Sequence, residues 1–456
     1  MGNFVDYAKA KLGDNRLSAR LVRFLEQLAG NPTASISAAL QDPYQAKAAY
    51  RFVGNDDVTT EEITKITRDV TLANINEVKP PVLLLPQDTT EFNYTNLKAT
   101  EGLGNIGTRK TDMGIVAHSA IAISDTGAVF GLMAQKIWIR PPEEHGKSSE
   151  RIKLPIEEKE SNKWLETVES SGSPFPEGTL AVHICDREGD IYELFCKAER
   201  DNAKYLCRKC HDRKIENENG IRKLDDFEKV LPVAGLININ VPRDSHTGRK
   251  ARDAELEIRQ GKCQILKPSN LVSTKDLPKY LEVYVVTATE TDQPPGQEKI
   301  YWHLITNVPT ESFEDAVERI QWYTQRWKIE TFHRTLKSGC KVEELQSRSA
   351  GTLMKLIAIY SIIALEIMEL GYMARTQPDA TCEICLTEDE WKILYRVAKK
   401  TKELPEKPPT IQEAVVMIAK LGGFLARKSD GHPGVTVIWR GLTKLYTILD
   451  AAEFLA

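Results

Sequence analysis

From about residue 80 the chain alternates between apolar runs of strand length and polar turns. The runs PVLLLPQD and TLAVHICD each end at an aspartate, Asp88 and Asp186. The runs VAHSAIAIS and AVFGLMAQKIWIR flank SDTG, a sequence typical of a hairpin turn. A helical pattern follows in IYELFCKAER and a strand pattern in AKYLCRK. Strands with interleaved helices predict an α/β fold with a mixed sheet.

Both ends of the chain have helical periodicity. Residues 1–70 are predicted to form short helices, and a helical pattern returns over residues 312–372. Alternating pieces such as LININVPRD and LEVYVVTAT predict an all-β insertion at about residues 215–298. We therefore expect a helical N-terminal domain at 1–70, a sheet domain at 71–372 that contains the insertion, and a helical C-terminal domain at 373–456.

The composition is that of a folded chain. Of its 456 residues 41% are hydrophobic and 28% are charged, close to the globular average. The longest apolar stretch, 353–368, is interrupted by Lys355 and Glu366, whereas a membrane span needs about 18 uninterrupted residues. The first residues lack the apolar core of an export signal. We expect a cytoplasmic protein with no membrane partner, whose cysteines are free thiols.

The basic residues are clustered, although the formal net charge is -4. One cluster covers Lys204–Lys214 and another Arg243–Arg252, and a solvated loop is the simpler explanation of either run alone. In NRLSARLVRFLEQLAG, Asn15 is a predicted N-cap. Three arginines on one face of that helix could lie along a phosphate backbone: Arg16, Arg20 and Arg23. A solvated helix face is the alternative.

Asp88 and Asp186 follow their strands directly, where α/β sheets place functional groups, although a lone acidic residue there is usually a turn former. A third carboxylate, Glu330, belongs to WYTQRWKIETFHRTLKSG. If this segment is a single helix, four of its side chains fall within an arc of roughly 60° on one face. They span about 21 Å along the helix, which is long enough to follow a phosphate backbone. They are Tyr323, Arg326, Glu330 and Lys337.

Three carboxylates without a His or Cys cluster beside them are hard oxygen ligands, which suit Mg²⁺ or Mn²⁺ better than zinc. Two such ions activate a water or a 3′ hydroxyl on one side of a phosphorus and stabilise the leaving oxygen on the other. Asp88, Asp186 and Glu330 therefore predict phosphodiester chemistry with two metal ions per active site.

The motifs around these residues resemble those of the DDE transposases of the insertion-sequence-four family. They are YxxRxxxExxxxxxK at 323–337, CDREGDIY at Asp186 and QDTTEFNY at Asp88. The resemblance extends over nearly the whole chain, through LGDNRLSARL, AAYRFVGNDDV, ESNKWL, YWHLIT, LTEDEW and IAKLGGFLARK. It implies a ribonuclease-H-like catalytic core with a β insertion, an N-terminal DNA-recognition domain and a C-terminal dimerisation domain.

The resemblance also implies roles for single residues. The implied metal ligands are Asp88, Asp186 and Glu330. The implied contacts to the phosphates beside the scissile bond are Tyr323, Arg326 and Lys337. Arg208 takes the position of an arginine that contacts the transposon end, and Trp302 that of a tryptophan on which an extruded base stacks. Such stacking returns about 1 to 3 kcal/mol of the cost of extrusion, whereas a core position is the alternative for Trp302.

The activity implied by the resemblance is cut-and-paste transposition of double-stranded DNA. Two protomers, a homodimer in the synaptic complex, hold two transposon ends, and a water nicks one strand at each. The freed 3′ hydroxyl attacks the opposite strand to form a hairpin, a second water opens it, and the 3′ ends join target DNA. Each step is an in-line displacement at phosphorus, so one metal–carboxylate site serves them all.

The sequence departs from the family at two places near these motifs. Paired arginines near the start are replaced here by Arg16 and Leu17, which affects the DNA end sequence that is recognised. Gln87 precedes Asp88 where an acidic residue can occur, and this does not change the metal ligand itself.

Three other readings remain open from the sequence. Two CxxC pairs, Cys207 with Cys210 and Cys382 with Cys385, could form a zinc site, although 171 residues separate them. A catalytically silent DNA-binding relative could inhibit transposition, but all three acidic positions are present. A structure-specific nuclease on the same core would cut DNA without joining it, and it would not need an end-recognition domain.

Overall fold

The structure is a computed structural model that describes residues 4, 6–7, 12, 14–31, 35–40, 42–141, 153–172, 175–217, 220–241, 251–272, 277–427 and 430–455. The basic run predicted at 243–252 falls almost entirely outside the described residues. The chain divides into two compact units. The first consists of Met1–Lys79, Thr89–His145 and Lys328–Ala456, and the second of Pro80–Asp88 and Gly146–Trp327.

Helices predominate at both ends of the chain and strands between them. The elements up to residue 138 are α1 (Asn15–Gly30), α2 (Ile36–Leu40), α3 (Pro43–Val53), α4 (Thr60–Val78), β1 (Val82–Asn93), β2 (Gly104–Asn105), β3 (Met113–Ser124) and β4 (Val129–Trp138). The next are α5 (Asn162–Ser171), β5 (Leu180–Cys185), α6 (Tyr192–Arg200), β6 (Lys204–Arg208), β7 (Ile215–Glu216), α7 (Leu224–Val230), β8 (Val233–Val241), β9 (Arg252–Leu266), β10 (Tyr280–Glu290) and β11 (Tyr301–Thr306). The last are α8 (Phe313–Thr324), α9 (Trp327–Arg334), α10 (Ala350–Thr376), α11 (Glu388–Lys399), α12 (Ile411–Leu421) and α13 (Val435–Leu455).

The predicted N-terminal helices are confirmed, with one correction at the start of α1. Asp14 rather than Asn15 is the N-cap, because Asp14 has extended backbone angles and its carboxylate accepts the Arg16 N–H at 2.8 Å. The buried face of α1 carries Leu21, Phe24 and Leu28. Helix α4 continues to Val78, so the domain boundary predicted at residue 70 falls inside it.

The first unit contains the predicted hairpin, formed by antiparallel β3 and β4. Helix α4 packs against β4 at Gly131, where a Cβ would overlap the Thr71 hydroxyl. That hydroxyl donates to the Leu132 carbonyl at 3.1 Å. A residue without a side chain is therefore required for this helix to lie close to the strand.

The second unit contains the strands that lead to Asp88 and Asp186, within a large mixed sheet. Strands β1, β5 and β6 are parallel neighbours, and β11, β10, β9 and β7 continue from β6 in antiparallel pairs. Strand β8 also pairs with β9. Helices α5 and α6 contribute Trp164 and Phe195 to a core shared with Tyr205, Val283 and Ile305 of the sheet.

The prediction of an all-β insertion at 215–298 is wrong in one respect, because the segment includes α7. Strands β7 to β10 extend the same sheet as β6 and β11. The helix forms because Leu224, Phe227 and Glu228 point inward at helical spacing. Gly261 of β9 leaves room for Phe227 and Leu231, which a Cβ at that position would meet.

The prediction of one continuous helix through residues 323–337 is also wrong. Helix α8 ends at Thr324, where the N–H groups of Gln325 and Arg326 each bond a carbonyl three residues back, and α9 starts at Trp327. Residues Thr335–Gly339 then form a π-helical turn. A calculation with 100° per residue does not hold across these interruptions.

Strand β1 differs from its prediction as well, because it continues past Asp88 to Asn93. Asp186, in contrast, directly follows β5 as predicted. Within the described part of the chain, no helix combines the length and the apolar character required to cross a membrane.

Candidate functional site

Asp88 and Asp186 lie at the same distance from the last paired residues of two adjacent parallel strands. Pro86 of β1 pairs with Ile184 of β5, and each aspartate comes two residues later, Asp88 still within β1 and Asp186 directly after β5. Residues at the same register of neighbouring parallel strands point to the same face, about 4.8 Å apart along the hydrogen-bonding direction. Both aspartates are half-buried. The predicted convergence of these two carboxylates is therefore consistent with the strand register.

The backbone around Asp186 is fixed by two hydrogen bonds. Its carboxylate caps the turn Arg187–Gly189 by accepting the Glu188 N–H at 2.8 Å. Its carbonyl accepts from the thiol of Cys207, on neighbouring β6, at 3.3 Å. Burial strongly raises the pKa of the Cys207 thiol, so Cys207 keeps the proton that it donates. Sequence reasoning placed Cys207 in a possible zinc site and missed this contact.

Gln87 and His183 form a buried polar pair just before the two aspartates. Gln87 Nε2 lies 3.3 Å from His183 Nδ1, and both side chains are buried. Burial lowers the pKa of His183 to about 4, so the ring is neutral at physiological pH and accepts this bond. Gln87, at a position where an acidic residue can occur, therefore donates a hydrogen bond to a neutral histidine.

Four of the predicted DNA contacts lie together in the second unit. The ring of Trp302, on β11, is 6.0 Å from that of Tyr323, on α8, in an edge-on arrangement. The guanidinium of Arg326 lies 5.9 Å from the centre of the Tyr323 ring. Burial raises the pKa of Tyr323, and the nearby charges of Arg326 and Arg208 act in the opposite direction. Trp302 is half-buried, so it is not the fully buried core residue of the alternative reading.

Arg208 is oriented by the neighbouring strand. It pairs with Leu304 of β11, and its guanidinium Nη2 donates to the Tyr301 carbonyl at 3.1 Å. Asp186 is among the charges that act on Tyr323, so the aspartate end of the sheet is close to this basic and aromatic cluster. An anion held there would meet two guanidinium groups, a phenol and an indole within one unit.

Asp190 is a site residue that sequence reasoning missed. Its buried carboxylate accepts the N–H groups of Cys210 and His211 at 2.7 and 2.8 Å, and Arg213 Nε donates to it at 2.9 Å. Arg213 also bonds the Asp190 carbonyl at 2.7 Å. These bonds join the loop after Asp186 to the chain that follows Arg208. The available signal was the second aspartate of DREGD, close to a basic run.

Glu330 and Lys337 belong to the first unit. Glu330 is a half-buried residue on α9, and Lys337 lies in the π-helical turn. The Lys337 ammonium is 5.6 Å from the centre of the Phe92 ring, in the same unit. The four-residue signature is thus divided between two units, with Tyr323 and Arg326 in the other.

The three arginines of α1 differ in their surroundings. Arg16 and Arg23 are exposed, whereas Arg20 is half-buried and bonds Gln45 of α3 at 3.1 Å. Two cationic heads therefore remain at the surface of α1, and the third joins two helices.

All eight cysteines are free thiols. Cys207 is buried on β6, whereas Cys210 follows that strand and is exposed. Among the residues that the structure describes, no group of three or more His, Cys, Asp and Glu side chains is arranged to hold a metal ion.

Both ends of the chain match known protein families. Residues 6–58, which include α1 to α3, match the family model for transposase DNA-binding. Residues 362–456, from within α10 to the end of α13, match the family model for the transposase Tn5 dimerisation domain. One end of the chain is therefore similar to a transposase DNA-binding domain and the other to the transposase Tn5 dimerisation domain, and these two matches support a transposase of the Tn5 type.

Proposed function

We propose that this chain is a DDE transposase of the insertion-sequence-four family, which cuts double-stranded DNA at transposon ends and joins the 3′ ends to target DNA. The observation that carries the proposal is that Asp88 and Asp186 each come two residues after a paired position of the parallel strands β1 and β5, between two segments that match transposase families. The core around them is proposed to be ribonuclease-H-like.

Three carboxylates are the proposed metal ligands: Asp88, Asp186 and Glu330. The first two are supported by strand register, and the third by the sequence signature alone. The donor set consists of carboxylate oxygens, which Mg²⁺ and Mn²⁺ prefer. When bound, two such ions supply an activated attacking oxygen and charge stabilisation of the leaving oxygen.

The basic and aromatic cluster is the proposed phosphate and base contact. Arg208 and Arg326 offer guanidinium groups with a geometry that matches phosphate oxygens. Because burial raises its pKa, Tyr323 keeps its proton at physiological pH and is a hydrogen-bond donor. Trp302 offers a half-buried ring on which an extruded base would stack. Lys337 is proposed to add a further phosphate contact.

The proposed reaction sequence uses water and 3′ hydroxyl groups in turn. Water cuts one strand, the 3′ hydroxyl attacks the opposite strand and forms a hairpin, water opens the hairpin, and the 3′ end attacks target DNA. Two protomers each hold one transposon end in a synaptic homodimer, which the dimerisation match supports.

A cleavage assay tests the proposal. A labelled duplex carries the candidate end, taken from the DNA that flanks the gene, and is incubated with Mg²⁺ or Mn²⁺. Wild type is expected to nick the duplex and then yield a hairpin. Asp186→Asn and Glu330→Gln are expected to bind it but cut it roughly a thousandfold more slowly, or not at all. Glu188→Gln is the matched control, because this exposed residue bonds the Asp186 carboxylate only through its backbone N–H, while its own carboxylate faces Lys163 at 3.6 Å.

Each other result has a definite meaning. Cutting by both variants at the wild-type rate shows that the carboxylate assignment is wrong. Binding by wild type without any cutting favours an inhibitor of transposition. Cutting without a hairpin and without joining favours a structure-specific nuclease.

A further inference from the structure

A buried cluster of ionisable side chains lies behind Arg208 and Trp302 and joins their two strands to α7. Lys209 Nζ donates to Glu228 at 2.5 Å and to Asp225 at 2.6 Å. Glu228 also accepts from Nδ1 of His303. The Glu228 side chain is only 3% exposed and that of Lys209 only 8%, so this pair lies largely away from solvent, whereas the side chain of Asp225 is 49% exposed. A single carboxylate thus holds one side chain from each strand.

Strand register shows that this cluster and the proposed DNA contacts occupy opposite faces of the same two strands. The Lys209 N–H donates to the His303 carbonyl at 2.8 Å, so these two residues are cross-strand neighbours. Arg208 pairs with Leu304, and side chains alternate along a strand. Arg208 and Trp302 therefore project from one face, while Lys209 and His303 project from the other, toward Glu228.

The cluster contains two buried polar atoms for which no partner is present among the described residues, Oε1 of Glu228 and Nε2 of His303. Burial disfavours the charge of Lys209, but the adjacent Glu228 and Asp225 outweigh this effect and raise its pKa. The ammonium therefore stays charged, with Glu228 as its buried counter-charge and Asp225 as its exposed one. Loss of the Glu228 carboxylate would leave Asp225 as the only carboxylate paired with Lys209 and would remove the acceptor of His303.

We propose that Glu228 is a positioning residue that holds Arg208 and Trp302 in the orientation in which they contact transposon-end DNA. The inference rests on the proposed function of those two residues. Each is next in sequence to a residue that Glu228 binds, so a shift of either strand end moves the DNA-contacting side chain with it. Glu228 itself faces away from the proposed contact surface and takes no part in the chemistry.

The first experiment measures hydrogen exchange in the DNA-free full-length chain. Glu228→Gln keeps the shape of the side chain and removes its charge. Exchange in peptides that cover β6 and β11 is expected to become about tenfold faster, with no change in β3 and β4. Asp226→Asn is the matched control, because this exposed residue of α7 pairs with Lys229 at the surface. It is expected to exchange like wild type.

The second experiment measures binding of the candidate end duplex. Glu228→Gln is expected to weaken binding of the duplex about tenfold in the wild-type background. Combined with Arg208→Ala or Trp302→Ala, it is expected to cause no further loss of affinity, because those variants already lack the groups that Glu228 positions. If Glu228→Gln does not fold, His303→Gln is used in its place, because it leaves the Lys209–Glu228 pair intact. It is also expected to weaken binding of the duplex.

The outcomes separate the inference from the proposed function. Unchanged exchange in β6 and β11, or an equal loss of binding in all backgrounds, overturns the positioning role. If Arg208→Ala and Trp302→Ala bind the duplex like wild type, the proposed DNA contacts are wrong. The proposal that Glu228 positions these two residues for DNA contact is then wrong as well.

Discussion

Buried polar side chains hold the backbone of the candidate site at fixed points. Asp190 accepts two backbone N–H groups and the Arg213 side chain, and Cys207 donates to the carbonyl of Asp186. Buried polar groups are costly unless they are bonded, so each of these residues restricts the chain to one local conformation. The half-buried aspartates and arginines of the site are carried on this fixed frame.

His183 is expected to make stability fall at acid pH. The unfolded chain takes up a proton at a histidine near pH 6.5, whereas burial lowers the pKa of folded His183 to about 4. Between these values the unfolded state binds more protons, so the free energy of unfolding decreases as the pH falls. The expected contribution is about 2 kcal/mol between pH 7.5 and pH 5.

Urea unfolding at the two pH values checks this prediction. His183→Gln is expected to show a smaller difference between pH 7.5 and pH 5 than wild type. His432→Gln changes an exposed histidine and is expected to behave like wild type. An equal pH dependence in His183→Gln and wild type would contradict the assignment.

Arg23 is expected to contribute one phosphate contact to DNA binding. It is exposed on α1, inside the segment that matches a transposase DNA-binding family. Arg23→Gln should reduce the slope of log affinity against log salt by about 1, because each neutralised phosphate releases counterions. Fluorescence anisotropy of a labelled end duplex at several salt concentrations measures the slope. Glu26→Gln, at an exposed position on the same helix, should not reduce it, and an unchanged slope in Arg23→Gln would remove Arg23 from the interface.

At the scale of elements, hydrogen bonds at the start of α8 stabilise the helix that carries Tyr323. Ser312 accepts the Asp315 N–H at 3.1 Å, and Asp315 accepts the Ser312 N–H at 2.9 Å, so the two residues form a capping box. Backbone N–H groups of Glu311 and Ser312 lower the pKa of Asp315, which therefore stays ionised and suits the positive end of the helix.

Ser312→Ala is expected to lower the free energy of unfolding by about 1 kcal/mol, because the Asp315 N–H loses its acceptor. Urea unfolding at neutral pH measures the loss. Ser312→Thr keeps the hydroxyl and should restore most of the stability, while Glu314→Gln changes an exposed residue in the same turn and should have little effect. Equal stability of Ser312→Ala and wild type would show that the capping box does not stabilise α8.

Periodicity was sufficient to predict the elements whose side chains have one clear inner face. The short helices predicted within residues 1–70, the β3–β4 hairpin and the strand that ends before Asp186 are confirmed, although α4 continues to Val78. Periodicity failed where local hydrogen bonds override it, as at Gln325, whose N–H bonds Trp322 and Tyr323 and interrupts the predicted helix. It also failed at α7, because seven residues are too few to establish a helical period.

The candidate site was predictable only in part, for a related reason. Asp88 and Asp186 were predicted because an apolar run precedes each of them, and the register of β1 and β5 then relates their positions. Asp190, Glu228 and His183 act through contacts between residues distant in sequence. No spacing within one element reveals such pairs.

At the scale of the whole molecule, the two family matches assign different tasks to the two ends of the chain. Residues 6–58 match a DNA-binding family and residues 362–456 a dimerisation family. The proposed synaptic complex would require both tasks together, since each protomer would bind one transposon end and the pair would hold two. A substitution that perturbs only the C-terminal helices is therefore expected to impair assembly of the dimeric complex and to leave DNA binding unchanged.

At Gly441, the addition of one methyl group is enough to perturb the packing of these helices. Helices α12 and α13 lie so close that a Cβ at Gly441 would overlap the Ile418 carbonyl, and one at Gly422 the Val437 carbonyl. Gly441→Ala must push the helices apart, at an expected cost of about 1 to 3 kcal/mol in this region. Gly434→Ala is the matched control, because a Cβ there meets no atom within 4 Å.

Light scattering after size exclusion of the chain with its end duplex measures the result. Wild type and Gly434→Ala are expected to form complexes with two chains and two duplexes. Gly441→Ala is expected to bind one duplex per chain with unchanged affinity and to lose the larger complex, because residues 6–58 do not include the changed helices. Loss of DNA binding as well would show that the C-terminal helices support the DNA-binding segment directly. A normal two-to-two complex would show that the close approach of α12 and α13 is not required for assembly.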